Sequence, residues 1–269
     1  MILLVLMLLF AAAVSAAVCL AGGAWWLGLL CFPLGLALGL VLYMLGVWLL
    51  SRRTDLSQPD ARPHPQACAA VIQVGQMLCL LGGVRPVITG TEKLPEGERF
   101  LFVCNHRSMF DPLMVMGWLG KWSIAFISKP SNLRIPLVGP CAEAAGFLAI
   151  DRENDRKALR TILTAADYLK RDLCSIGIYP EGTRTRTGEL QAFHSGSFKI
   201  AQRAHVPLVI ACVHGTEKAK HGYFLHPHRC TLEILACLPA EQVKAMSTQE
   251  LAACSREKIE ACLKEAEGK

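Results

Sequence analysis

Residues 1–50 contain no Asp, Glu, Lys, Arg or His. A water-facing domain of that length carries charge on its surface, so this stretch is not an ordinary soluble segment. The twelve cysteines include no C-x-x-C pair, which removes the usual zinc and dithiol signatures. Scattered inside apolar runs, they read as small buried hydrophobes in a reducing compartment, and neither a disulfide framework nor a metal site is expected. There is no G-x-S-x-G, the nucleophile turn of an α/β-hydrolase. No Lys/Arg run interleaved with aromatics occurs, which argues against nucleic acid as a partner. Internal repeats, low-complexity tracts and a second-domain linker beyond residue 83 are also lacking. The net charge of +6 lies wholly beyond Leu50 and suits an anionic membrane surface or a phosphorylated substrate.

The uncharged segment 1–50 is long enough for two membrane-spanning helices, broken at Gly22-Gly23. Trp25 and Trp26 would mark one interface and Trp48 the other, about 33 Å apart at the helical rise. Pro33 is a candidate kink. Arg52 and Arg53 follow at once and read as cytoplasmic, which places both ends of a hairpin on that side. A secretory signal would have a positive start and a shorter apolar core. Residues 51–65 form a polar, Pro-containing linker. Residues 66–82 read as a helix with almost no charge, whose Gln66, Gln73 and Gln76 fall near one face. That pattern fits an interfacial helix with its glutamines in water, and equally a core helix of the following domain.

From there to residue 269 the chain alternates short apolar runs with helical patterns. Arg99–Cys104, Ser123–Ile127, Phe147–Ile150, Ser175–Tyr179, Leu208–Val213 and Thr231–Cys237 read as strands, several apolar at consecutive positions as in strands covered on both faces. Asp111–Leu119, Asn154–Arg171 and Gly196–Ala204 read as helices. Ser247 with Glu250 forms a capping-box pattern that opens a last helix. The expectation is one α/β domain over residues 66–269, with a central, mostly parallel sheet flanked by helices.

Four segments of this domain carry chemistry. Asn105-His106-Arg107-Ser108-Met109-Phe110-Asp111 lies between a strand and a helix, a usual place for reactive groups in α/β folds. Across a turn, the Asp111 carboxylate can orient the His106 imidazole as a base for an alcohol. The same residues also fit a helix-capping Asp111 and a surface His106. Tyr179-Pro180-Glu181-Gly182-Thr183-Arg184 follows another strand; Gly182 permits close backbone approach, Thr183 and Arg184 supply phosphate donors, and Arg186 adds charge. Gly146-Phe147-Leu148-Ala149-Ile150-Asp151-Arg152 ends in a cation that could instead pair with Asp151 or Glu153. Val206-Pro207-Leu208 opens a buried strand.

In this order the four segments resemble the sequence blocks of the glycerolipid acyltransferase family, and among them bacterial 1-acylglycerol-3-phosphate acyltransferases. The likeness runs from about Gly90 to Val213 and takes in Lys129-Pro130 and Ile135-Pro136-Leu137-Val138-Gly139. It implies an O-acyltransferase of phospholipid biosynthesis, at the cell membrane with its active domain facing the cytoplasm. His106 would deprotonate the sn-2 hydroxyl of lysophosphatidate, which would attack acyl-CoA or acyl-carrier protein to give phosphatidate. Asp111 would support His106. Asn105, Arg107, Lys129, Arg152, Glu181, Gly182, Thr183 and Arg184 would bind substrate. No cofactor or metal is implied; the partners are the bilayer, lysophosphatidate and the acyl donor. The sequence departs from the family pattern at Tyr179, at Asn132 and at His194, where relatives carry Phe, often an acidic residue, and Lys. Two other readings stand beside this one. The acceptor could be glycerol 3-phosphate or another lysolipid, or the chain could be a catalytically dead lipid-binding protein.

Overall fold

The structure is a computed structural model and describes residues 2–21, 25–185, 189–221 and 226–267. The Gly22-Gly23 break and Arg186 lie outside the described residues. Helices α1 (Ile2–Leu20), α2 (Trp25–Ser51) and α3 (Pro65–Leu81) come first, then strand β1 (Val84–Thr89). There follow β2 (Leu101–Cys104), α4 (Phe110–Trp118), β3 (Ile124–Ser128), α5 (Pro130–Leu133), α6 (Val138–Ala144) and β4 (Leu148–Ala149). The chain continues through α7 (Asp155–Lys170), β5 (Ser175–Ile178), α8 (Lys199–Ala204), β6 (Leu208–His214) and β7 (His228–Leu238), and ends in α9 (Ala240–Ala245) and α10 (Thr248–Glu267).

The seven strands form one sheet in the order β1-β7-β6-β2-β5-β3-β4. β2 through β6 all run one way; β7 is antiparallel to β6, and β1 is parallel to β7. The carboxyl ends of five strands therefore share one edge, where ligands bind in open α/β sheets. The two-residue period of a strand sorts side chains between two cores. Leu101, Val103, Ile176 and Ile178 meet α7, α8 and α10 on one face. Phe102, Cys104, Phe126 and Val209 meet α3 and α4 on the other. The expected capping box is formed: the Glu250 amide donates to Ser247 Oγ at 3.2 Å, and the Ser247 amide donates to Glu250 Oε2 at 2.6 Å.

α1 and α2 pack antiparallel because small residues admit close approach. Gly28 faces Cys19 and Gly35 faces Ala11, each with no room for a further methyl group. Of the two, α2 is long and apolar enough by itself to cross a membrane. Its carboxyl half does not stand free: Met44 and Val47 pack on Ala67 and Ala70 of α3 and on Cys141 and Ala144 of α6. α3 matches the expected helix at residues 66–82 to within a residue, but its glutamines do not share one wet face. Gln76 Nε2 turns inward and donates to the Gly117 carbonyl of α4 at 2.8 Å. Gly75 and Gly117 bring the two helix backbones together there and leave that carbonyl within reach. The exposed residues at the end of α3 are instead Leu78, Leu80 and Leu81.

Candidate active site

β2 ends at Cys104, and the next residue fixes the loop that follows. Asn105 is buried; its Nδ2 donates to the Val213 carbonyl at 2.8 Å and its Oδ1 accepts from the Val213 amide at 2.8 Å. The amide side chain thus extends the β2–β6 pairing by one rung beyond the strand. The chain then turns into α4, with Asp111 in its first turn and no side chain exposed to water. Asp111 does not cap the helix. Its Oδ2 accepts from the Arg107 and Ser108 amides, both at 2.7 Å, and lies 2.9 Å from His106 Nδ1. Its Oδ1 accepts from the Thr216 hydroxyl at 2.5 Å.

This arrangement sets the tautomer. Oδ2 can only accept, so Nδ1 carries the proton and Nε2 keeps a free lone pair. The imidazole is held flat on Tyr179, with ring centroids 4.2 Å apart and planes 17° from parallel, and 18% of the His106 side chain stays exposed. A fixed imidazole with one open nitrogen at the surface is equipped to take a proton from a hydroxyl brought to it.

The segment after β5 clasps the same loop from the other side. Glu181 is buried; its Oε1 accepts from the His106 amide at 2.6 Å and its Oε2 from the Gln191 amide at 3.0 Å. Burial pushes the Glu181 carboxyl above its ordinary value, and the two amide donors pull part of that back. The Thr185 amide donates to the His106 carbonyl at 3.0 Å, so His106 is tied through both backbone groups. Gly182 takes a left-handed φ of +73° with the His194 ring and the Arg152 guanidinium close against it. Thr183, Arg184, Arg152 and Lys129 are exposed.

The expected substrate-binding set therefore divides. Gly182, Thr183, Arg184 and Arg152 gather around one loop beside His106, and Lys129 sits on the same sheet edge after β3. Asn105 and Glu181 are buried and bonded to backbone groups, Asn105 to Val213 and Glu181 to the His106 and Gln191 amides. Arg107 is partly buried and lies along Glu217, with Nε 3.6 Å from Oε2. Thr216 and the stacking role of Tyr179 were missed. Thr216 follows a Gly215 of φ +87° after β6, and no local pattern marks it. Among the described residues no group of three or more His, Cys, Asp or Glu is placed to hold a metal ion. A cavity of about 430 Å³ lined by Val71, Ile72, Ile124, Phe147 and Cys174 opens at the amino ends of β3 and β5, away from His106.

Comparison with known proteins gives the same outline. Residues 85–214 match the model of a family described as Acyltransferase. The chain is 33% identical over 145 residues to a 1-acyl-sn-glycerol-3-phosphate acyltransferase of Cocos nucifera, covering 54% of this chain and 46% of that protein. It is 31% identical over 160 residues to the protein of that name from Escherichia coli, covering 60% of this chain and 65% of the other. The chain thus spans about half to two thirds of these relatives' length. The crystal structure of the 1-acyl-sn-glycerophosphate (LPA) acyltransferase PlsC from Thermotoga maritima superposes with a TM-score of 0.64 at 23% identity, over 76% of this chain and 81% of that one. The likeness in structure is one of fold.

Proposed function

Because residues 85–214 match the model of the Acyltransferase family, we propose that the chain transfers an acyl group from a thioester to the sn-2 hydroxyl of lysophosphatidate, forming phosphatidate. The observation that carries this reading is the His106–Asp111 pair, with Nδ1 occupied and Nε2 open. Nε2 takes the proton of the acceptor hydroxyl as its oxygen attacks the thioester carbonyl. The C–O bond forms, the C–S bond breaks, and the thiolate leaves with the proton returned by the imidazolium. Asp111 holds the tautomer and stabilises the imidazolium in between. No protein nucleophile is needed, since the substrate hydroxyl is the nucleophile.

The acceptor's phosphate is recognised at the Gly182 loop. Arg184 and Arg152 are exposed there and have no carboxylate partner among the described residues, while Thr183 and the Gly182 backbone add hydrogen-bond donors. Lys129 contributes charge from the neighbouring strand end. The hairpin of α1 and α2 holds the domain at the membrane that contains the acceptor, with Arg52 and Arg53 on the cytoplasmic side. The donor is acyl-CoA or acyl-carrier protein. The names of the relatives support lysophosphatidate as acceptor.

The test is a matrix of donors against acceptors with the purified full chain: acyl-CoA and acyl-carrier protein against lysophosphatidate, glycerol 3-phosphate and a lysolipid with another head group. Lysophosphatidate should give the highest kcat/KM. A clear preference for glycerol 3-phosphate would replace the acceptor, and no transfer from either donor would leave a lipid-binding protein. His106→Ala should abolish transfer while the protein stays folded and in the membrane fraction; near-normal turnover would refute the base.

A further inference from the structure

The cavity of about 430 Å³ at the amino ends of β3 and β5 takes no part in the chemistry above, yet it falls within the size range of small-molecule sites, about 300–1,000 Å³. Its walls are apolar: Val71 and Ile72 of α3, Met116 of α4, Ile124 of β3, Phe147 and Leu173. Two thiols join them. Burial raises Cys68 and pushes Cys174 up to about 12, so both are neutral at physiological pH. The hollow is not a sign of loose packing around it. Ile72 lies close on Gly120 and Cys174 close on Gly146, where neither glycine has room for a Cβ. β3 and β5 are each entered through a left-handed non-glycine residue, Ser123 at φ +48° and Asp172 at φ +55°, and both residues line the cavity. Backbone conformations of that kind persist only where the surroundings impose them, and they collect at functional sites.

Charge is confined to three of the lining residues, Arg62, Arg99 and Asp172, a net of +1. Arg99 and Asp172 satisfy each other, with Nε 2.7 Å from Oδ1. Arg62 is exposed; its Nη1 donates to the Arg171 carbonyl at 2.8 Å, and it forms no ion pair among the described residues. Asp60, two residues before it, does not line the cavity. An apolar hollow with one uncompensated guanidinium beside it matches a ligand with one apolar chain and one anionic group. Its volume is near the lower end of the range, which suits a single chain with a compact head. Arg62 and Pro63 belong to the linker that leaves the membrane hairpin, so a molecule dissolved in the bilayer meets the cavity where the domain joins its anchor.

We propose that this cavity is a second, regulatory site that binds a free fatty acid, its chain among Ile72, Phe147 and Leu173 and its carboxylate on Arg62. A path of stacked rings joins the site to the base. Ring centroids are 6.4 Å apart from Phe147 to Phe126, 5.2 Å from Phe126 to Tyr179 and 4.2 Å from Tyr179 to His106. Phe147 also packs against the cores on both sheet faces and against the cluster under the hairpin. Close-packed rings pass a displacement on rather than absorb it. A chain that displaces Phe147 therefore disturbs the stacking that holds the imidazole flat, and turnover falls. A fatty acid is what hydrolysis of an acyl thioester releases, so the device reports surplus acyl chains. The binding stands on the cavity alone; its effect on turnover rests on the acyltransfer reading above.

The experiment uses the full chain in a nonionic detergent and follows alkylation of Cys68 by mass spectrometry, with Cys254, partly exposed on α10, as internal control. The probes are palmitate, hexadecanol, which has the chain without the anion, and lysophosphatidylglycerol, which has a larger anionic head. Palmitate should slow alkylation of Cys68 but not of Cys254, at a concentration about fivefold or more below that needed with hexadecanol. Arg62→Gln, at an exposed position, should weaken palmitate about fivefold or more and leave hexadecanol unchanged. Met116→Trp fills the hollow from α4 and should abolish protection. In steady-state transfer, saturating palmitate should lower wild-type kcat about threefold or more with both KM values unchanged, and should do so less well in Arg62→Gln. No protection by palmitate, equal protection by hexadecanol, or protection undiminished in Arg62→Gln would overturn the site. Stronger protection by lysophosphatidylglycerol would overturn the fatty acid as its ligand. Inhibition that competes with lysophosphatidate, or protection with no change in kcat, would overturn the regulatory role. If no donor supports transfer while palmitate still protects Cys68, the binding site is upheld and the acyltransfer reading fails.

Discussion

Thr216→Val tests whether Asp111 must be held from behind to serve His106. The substitution keeps the shape and removes the hydroxyl that donates to Asp111 Oδ1 at 2.5 Å. Both residues are buried to zero exposure, so water does not replace the donor. A hydrogen bond to a charged group is worth about 1.5–3 kcal/mol, and the orphaned carboxylate oxygen bears the full loss. Stability should fall by an amount of that order. With Oδ1 released, the carboxylate can rotate away from the line that joins Oδ2 to Nδ1. If the same 1.5–3 kcal/mol is lost where the imidazolium forms, kcat falls about ten- to a hundredfold, since about 1.4 kcal/mol is a factor of ten. Neither substrate touches Thr216, so both KM values should stay near wild type. Thr216→Ser restores the donor and should recover most of kcat, which a purely packing role of the threonine methyl would not predict. The assay is steady-state transfer with both substrates varied, alongside thermal melts of all three proteins. A valine variant with wild-type kcat, or a serine variant as impaired as valine, would refute the positioning role.

Arg184→Ala should raise KM for the phosphorylated acceptor several-fold and leave KM for the donor nearly unchanged; an unaltered acceptor KM would remove Arg184 from the phosphate site. Glu181 gives a pH signature. Burial raises its carboxyl above its ordinary 4.5, so the folded protein prefers the protonated form. Its contribution to stability is therefore fully present below the ordinary value and is lost as pH rises through the raised one. Against Glu181→Gln, which does not titrate, the wild type should gain in relative melting temperature as pH falls from neutral toward 4.5. A difference that stays flat or moves the other way would contradict the raised carboxyl.

How much of this was legible in the sequence depended on how far apart the partners are in the chain. His106 and Asp111 are five residues apart and meet across one turn, so spacing alone could suggest them. Asn105 finds its partner 108 residues away, Glu181 75 away and Thr216 105 away. Their residue types suit ligand binding as well as scaffolding, and only the sheet order decides between the two. The six expected strands are all present; β2, β3, β5 and β6 are buried at nearly every position, whereas β7 alternates and the two-residue β4 is partly exposed. β1 escaped because Arg85 and Pro86 interrupt its pattern; it is an edge strand, where a missing backbone donor is tolerated. The short helices α5, α6 and α9, of 4, 7 and 6 residues, give too few turns for a period to show.

The scaffold residues also explain where the acceptor must approach. The His106 loop is gripped from the β6 side through Asn105, Arg107 and Asp111, and from the β5 side through Glu181 and the Thr185 amide. Tyr179 closes one face of the imidazole ring. What remains open is the Nε2 edge, and the exposed side chains near it are those of the Gly182 loop and Arg152 rather than Asn105 or Glu181. The His106 loop and the cation-bearing Gly182 loop, held together by the Glu181 clasp, would place the proposed base and the proposed phosphate site at a fixed separation. That is the condition under which orientation, rather than basicity alone, contributes to the rate. Loosening the clasp should therefore act on kcat as well as on acceptor KM, whereas truncating Arg184 should act chiefly on KM. The two classes of variant separate the positioning of the base from the recognition of the phosphate within one assay.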